Sequence, residues 1–257
     1  MEGSSVSPVV ERQPAAQNFE IRPLSDVAGA EVVGLDLRRP LDAAARQAVY
    51  GAFVRHHVLA FRGQDLSKDE QVAFTEQFGT LERHVARNRG VGDHPLVHIV
   101  SNLNAEGEPS GKIASQKWHT DKSFRELPSL ATILHARIMP PQGGDTCFAN
   151  MILAYEALSD AEKAELDGVG VIHSWELSCL KAGRAAPPDE IADAPPMTHP
   201  LVRTSPNPAR RACSWVSTPR TSTIVRLRPA APGSRSSKRM RRRSASSTAI
   251  TGSRATC

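Results

Sequence analysis

The sequence predicts a mostly β fold with flanking helices, and three observations carry that expectation. Short runs of β-branched and aromatic residues recur between glycines and prolines, as strands between turns do. The helical stretches are short and open on side-chain caps. At 257 residues the chain is long enough to bury a substantial core, in one large β-rich domain or two small ones.

Taken in order, residues 1–16 are rich in Ser, Pro and Gln and read as a disordered lead-in. From there to 204 the text is that of a folded domain. Ile21 to Leu37 alternates β-type runs with Pro23, Gly29 and Gly34. Asp42 caps a predicted helix over 43–55, and 57–61 is a short apolar run of strand type ending at Gly63. Ser67 and Glu70 form a capping box, since the serine oxygen accepts from the third helical amide while the carboxylate reaches back to the cap. The helix behind it bears Val72, Phe74 and Phe78 and closes at Gly79.

A polar loop then runs through Ser110. Residues 130–139 read as a buried strand, 140–144 as a tight Pro/Gly connection, and 145–149 as a second strand. Ser159 and Glu162 make a second capping box, and 169–175 is again strand-like. No internal repeat is visible.

Charge divides the chain. Residues 205–257 hold 12 Lys and Arg and no Asp or Glu, whereas residues 1–204 hold 20 basic against 27 acidic residues. The overall +5 therefore describes neither part. Of the last 53 residues 17 are Ser or Thr, only six are Val, Ile, Leu, Met or Phe, and no strand or helix period can be traced. Such a segment buries too little apolar surface to offset its ordering entropy, so 205–257 is expected to be a disordered basic tail.

Neither a membrane-spanning apolar stretch nor a signal-peptide pattern is present, which suggests a cytoplasmic protein with no membrane partner. Cys147, Cys179, Cys213 and Cys257 stand at scattered spacings and read as reduced thiols.

The chemistry-bearing motif is His119-Thr120-Asp121. On a strand, residues i and i+2 share a face, so an imidazole and a carboxylate can grip one ion from one side. With a second histidine they would form the two-histidine, one-carboxylate triad of iron(II) oxygenases, which leaves coordination positions open for co-substrate and oxygen. Alone the pair is a weak signal, because nine His and twelve Asp give about 0.4 such pairs by chance; a surface strand that happens to carry both stays open.

Context adds to it. Phe19-Glu20-Ile21-Arg22-Pro23-Leu24, the run from Gly29 to Leu37, Phe61-Arg62-Gly63-Gln64, Phe78-Gly79, the run from Trp118 to Phe124, Gly143-Gly144-Asp145-Thr146 and the run from His199 to Thr204 occur in that order. Together they resemble the taurine and 2,4-dichlorophenoxyacetate dioxygenases, over about residues 19–204. The resemblance implies a double-stranded β-helix (jelly roll), incomplete here at its C-terminal strands. It implies hydroxylation of a small, anionic organic substrate with iron(II), oxygen and 2-oxoglutarate, releasing succinate and CO2.

Residue by residue, it implies that His119 and Asp121 are iron ligands and that the Thr146 hydroxyl binds the 2-oxoglutarate carboxylate. Ser115 matches a polar position near the co-substrate. His84 matches a substrate-contacting histidine, with an ordinary loop histidine as the alternative. Lys112, Lys117, Lys122 and Arg125 surround the motif and offer either attraction for an anion or a solvated rim.

What the resemblance demands and the sequence lacks is a late histidine, well over a hundred residues after the first, followed by an arginine. The histidines after Asp121 are His135, His173 and His199, and none matches that position. The pattern fails where composition changes, so 205–257 is read as an out-of-frame translation of a GC-rich gene. Two alternatives remain: a non-catalytic remnant, or a binding protein whose Lys238 to Arg243 cluster contacts nucleic acid, although that cluster lacks interleaved aromatics. A homo-oligomer is open.

Overall fold

The computed structural model describes residues 18–86, 94–104, 106–111, 118–204 and 210–213, and the backbone alone of 90–91, 222–226 and 255–256. The lead-in 1–16, Ser115, Lys112 and Lys117 lie outside the described residues. The chain divides into two compact units, Met1–Thr80 and Leu81–Cys257.

In the first unit, β1 (Glu20–Pro23) pairs antiparallel with β2 (Ala30–Val33), and β3 (Leu59–Ala60) adds parallel to β2. Gly29 makes the turn possible, since its φ of +92° strains any residue with a Cβ. Helix α1 (Ala43–His56) starts where Asp42 Oδ1 accepts from the Ala45 amide at 2.7 Å. Its buried residues Ala45, Val49 and Ala52 share one face. The helix ends at His57, which takes the left-handed cap conformation at φ +66°. That use of His57 shortens the expected strand to two residues.

Helix α2 (Lys68–Glu76) has the full capping box: Ser67 N donates to Glu70 Oε2 at 2.7 Å and Glu70 N to Ser67 Oγ at 3.2 Å. It stops before Phe78. Phe74 fills the core of this unit, edge-on to Phe61 and Phe78, with Ala30, Val32, Leu35, Leu37, Leu41 and Leu66 also buried.

The second unit begins with a hairpin, β4 (Gly90–Val91) and β5 (His94–His98), inside what the sequence reads as a polar loop. Three polar or proline residues in His94-Pro95-Leu96-Val97-His98 obscure its alternation. After β6 (Phe148–Ala149) come α3 (Met151–Glu156), α4 (Asp160–Leu166), β7 (Val169–His173), α5 (Trp175–Lys181), α6 (Pro188–Asp193), β8 (Met197–Pro200) and β9 (Val202–Thr204). Beyond Thr204 stand β10 (Arg211–Cys213), β11 (Ser222–Arg226) and β12 (Ala255–Thr256).

Strand order is β11-β7-β8 in the largest sheet of this unit; β9 pairs with β10 and β6 with β12. β7 is buried along nearly its whole length, and Val171 is fully buried. A continuous apolar run is what a strand covered on both faces requires. The Ser159 capping box forms as the sequence predicts.

Two expectations are corrected. Residues 130–139 are neither strand nor buried: Leu130, Leu134, Ile138 and Met139 are 59–78% exposed. A strand exists only when a neighbour takes its amides and carbonyls, and among the described residues this segment has no such neighbour. Short pieces of the chain beyond Thr204 pair with β9, β7 and β6. Cys179 and Cys213 form no disulfide, as expected, whereas Cys147 is disulfide-bonded. The sheets are small and separate, so the described residues form strands and helices without themselves closing a β-helix. No described helix is long and apolar enough to cross a membrane.

Candidate active site

His119 and Asp121 do not share a strand. Residues 118–120 are irregular and 121–124 form a turn, closed by Arg125 N donating to Lys122 O at 2.9 Å, with Lys122 at φ +50°. The pair meets nonetheless: His119 Nε2 lies 3.2 Å from Asp121 Oδ1, both side chains about half exposed. Thr132 Oγ1 donates to the other carboxylate oxygen at 2.7 Å. The hydrogen bond from His119 holds the Asp121 carboxyl below the usual carboxylate range, with Thr132 aiding and partial burial opposing.

The spacing suits a shared ion. Two donors about 2.1 Å from one metal and at right angles to each other lie about 3.0 Å apart. Imidazole nitrogen and a carboxylate oxygen, the latter oriented by a hydroxyl, are a fitting donor set. A third ligand is missing among the described residues, where no group of three or more His, Cys, Asp or Glu could hold a metal. His173 and His199 do not supply it. They are buried against each other across β7 and β8, ring centroids 5.7 Å apart, and His199 Nε2 is 2.8 Å from the Arg125 carbonyl oxygen.

The described cations of the motif are already neutralised. Lys122 Nζ donates to Glu82 Oε2 at 3.1 Å and to the Glu82 carbonyl. Arg125 Nε sits 2.6 Å from Glu82 Oε1, an ion-pair contact without hydrogen-bond geometry, while Arg125 NH2 donates to Asp193 Oδ2 at 3.0 Å. Lys122 and Arg125 thus staple the turn after Asp121 to residue 82 and to the end of α6 instead of presenting free charge to a substrate.

His84 is not a bare loop histidine. Its Nδ1 accepts from the Ala86 amide at 3.0 Å, which fixes the ring, and its ring packs at 4.9 Å on His98 and at 5.6 Å, edge-on, on Trp175. Trp175 also packs at 5.2 Å on Phe124, three residues past Asp121. The sequence reading missed Trp175; the signal was Ser174, a helix cap directly after a buried strand. Thr146 is exposed on the irregular stretch before β6, and the structure does not join it to the pair.

Comparison with known proteins decides the ancestry. Residues 20–238 match the profile of the taurine catabolism dioxygenase TauD, TfdA family. The chain belongs to this family. The family match runs past Thr204, where the motifs read from sequence end.

Among similar TauD/TfdA proteins is an alpha-ketoglutarate-dependent 2,4-dichlorophenoxyacetate dioxygenase of Cupriavidus pinatubonensis, 33% identical over 74% of this chain and 70% of that protein. An (S)-phenoxypropionate/alpha-ketoglutarate-dioxygenase of Delftia acidovorans is 32% identical over 64% of this chain and 58% of its own length. The crystal structure of AAD-2 in complex with Mn(II) and N-oxalylglycine superposes with a TM-score of 0.57 at 30% identity, covering 78% of this chain and 70% of that one. The chain therefore spans roughly three fifths to seven tenths of these relatives. The TauD/TfdA relatives are 2-oxoglutarate-dependent dioxygenases, and N-oxalylglycine is an analogue of that co-substrate.

Proposed function

We propose that residues 17–204 are the larger part of an iron(II)- and 2-oxoglutarate-dependent dioxygenase domain on a double-stranded β-helix, acting on a small anionic organic substrate with release of succinate and CO2. The His119–Asp121 pair carries the reading, because it presents two donors at cis-ligand spacing inside the region that matches the family. His119 and Asp121 hold the metal, Thr146 binds the co-substrate carboxylate, Ser115 is a polar residue near co-substrate and substrate, and His84 faces the substrate. Bound iron(II) supplies the activation of oxygen; the protein's share is to orient both substrates and exclude water. Similar proteins named for phenoxyacetate, phenoxypropionate and sulfate esters support an anionic substrate.

The experiment is succinate formation from 2-oxoglutarate with iron(II) and oxygen, compared with His119→Ala. Succinate above that control is the expected result if another residue completes the site. Rates equal to the control favour the second reading, a non-catalytic remnant. The absence of a third ligand among the described residues supports that reading.

The basic segment 205–257 is read as out of frame, a reading that the genetic code permits. Moving the frame back one nucleotide builds each codon from the last base of one residue and the first two of the next. Cys213-Ser214-Trp215, with Ser214 encoded by a TCN codon, then becomes three consecutive apolar residues drawn from Leu, Met, Val and Phe, as in a strand. Ile250 and Thr251 become residues of the Asn, His, Asp, Tyr group. The gene's nucleotide sequence decides: the shifted frame must restore acidic residues, a late histidine and a following arginine, or the idea fails.

A further inference from the structure

Beside the metal turn, the loop between α5 and α6 and the first turn of α6 contain a cluster that the proposed chemistry does not use. Glu190 is buried, 8% exposed, an unusual place for a carboxylate. Its Oε2 accepts from Trp175 Nε1 at 2.9 Å and from Arg184 NH2 at 2.8 Å. The Arg184 guanidinium in turn lies over the Trp175 ring, 5.3 Å from its centroid. One oxygen thus fixes both the edge of the indole and the cation on its face. The same indole meets the Phe124 ring at 5.2 Å and the His84 ring at 5.6 Å.

An indole ring otherwise rotates about two side-chain torsions, and a hydrogen bond at Nε1 removes that freedom. A Gln, Leu or Met would fill the same volume without burying a charge. The arrangement makes sense when the orientation of the ring matters. We infer that Glu190 is a positioning residue: with Arg184 it locks Trp175 so that Phe124, Trp175 and His84 form one rigid aromatic wall beside the metal turn, able to take the flat part of a substrate. This rests on the reading of His84 as facing the substrate.

The test uses the full chain with Trp118→Phe and Trp215→Phe, which leaves Trp175 as its single tryptophan. Emission maximum, acrylamide quenching and quenching by 2,4-dichlorophenoxyacetate are measured without metal or co-substrate. Glu190→Ala is expected to shift emission to the red, to raise acrylamide quenching, and to weaken the probe's affinity about fivefold, the order of one lost hydrogen bond. Glu190→Gln, which keeps an acceptor for both donors, is expected to retain the parent emission and most of the affinity. Unchanged emission and acrylamide quenching in Glu190→Ala would overturn the lock. Shifted emission with unchanged probe affinity would overturn its part in recognition. If the parent does not bind the probe, the wall as an aryl-acid site is overturned with it, while emission still judges the lock and the succinate assay still judges the dioxygenase reading.

Discussion

Residues 118–149 and 151–200 are neighbours in sequence with similar apolar content, yet they meet opposite fates. The later stretch closes on itself: β7 pairs with β8 about thirty residues on, and Asn150, Ser159 and Ser174 cap three of its helices. Val169, Val171, Ile152 and Tyr155 are buried there. The earlier stretch holds an equally β-like run, but Leu127, Leu130, Leu134, Ile138 and Met139 face outward. The difference is partnership. A helix satisfies its own backbone, whereas a strand depends on a neighbour that this chain does not provide among its described residues.

The most demanding test of that contrast is a pair of truncations followed by thermal melts. Val171→Ala should destabilise the second unit by about 2 kcal/mol, two buried methyl groups plus the cavity left behind. Leu134→Ala should change stability by less than about 0.5 kcal/mol, as at other exposed positions. Equal losses would show that 127–139 is covered in solution.

Smaller effects bear on the same contrast. Ser159→Ala removes the α4 cap and should cost about 1 kcal/mol. Glu82→Ala removes the carboxylate shared by Lys122 and Arg125 but leaves Arg125 its bond to Asp193, and with these groups 21–40% exposed the loss should be no more than about 1 kcal/mol. Its larger signature is a weaker Mn(II) affinity, measured by electron paramagnetic resonance, because the turn after Asp121 loses its staple.

The pH dependence separates two windows. Burial, with the nearby charges of His199 and Arg203, keeps His173 below the usual imidazole value of 6.5. The unfolded chain then binds a proton that the folded one refuses, so stability should fall as pH drops below about 6.5. For Glu190, burial raises the carboxyl but the bonds from Arg184 and Trp175 outweigh it, so it ionises below the ordinary 4.5. Its contribution is present above that value and is lost on further acidification. Denaturant melts of His173→Gln should lack the upper window and keep the lower one.

Helix starts at Asp42, Ser67 and Ser159 were legible because a cap and its amide are three residues apart. The His119–Asp121 pair and its family context were legible for the same reason, since identity and order survive in one dimension. Its local conformation was not, because Lys122 turns the chain and residues 40 and 68 positions away hold that turn. The charge on Lys122 and Arg125 was visible in the sequence, but its neutralisation by Glu82 and Asp193 was not.

The caps, the family, the His119-x-Asp121 pair and the change of composition at 204 can all be read from the linear chain, because each depends on residues close together or on order alone. Three features emerge only in the folded molecule: the apolar run at 130–139 stays exposed, the motif's cations are spent on internal ion pairs, and His84 belongs to an aromatic wall fixed through Glu190. Each of these depends on which distant side chain arrives, and pairing across dozens of residues leaves no period in the sequence to read.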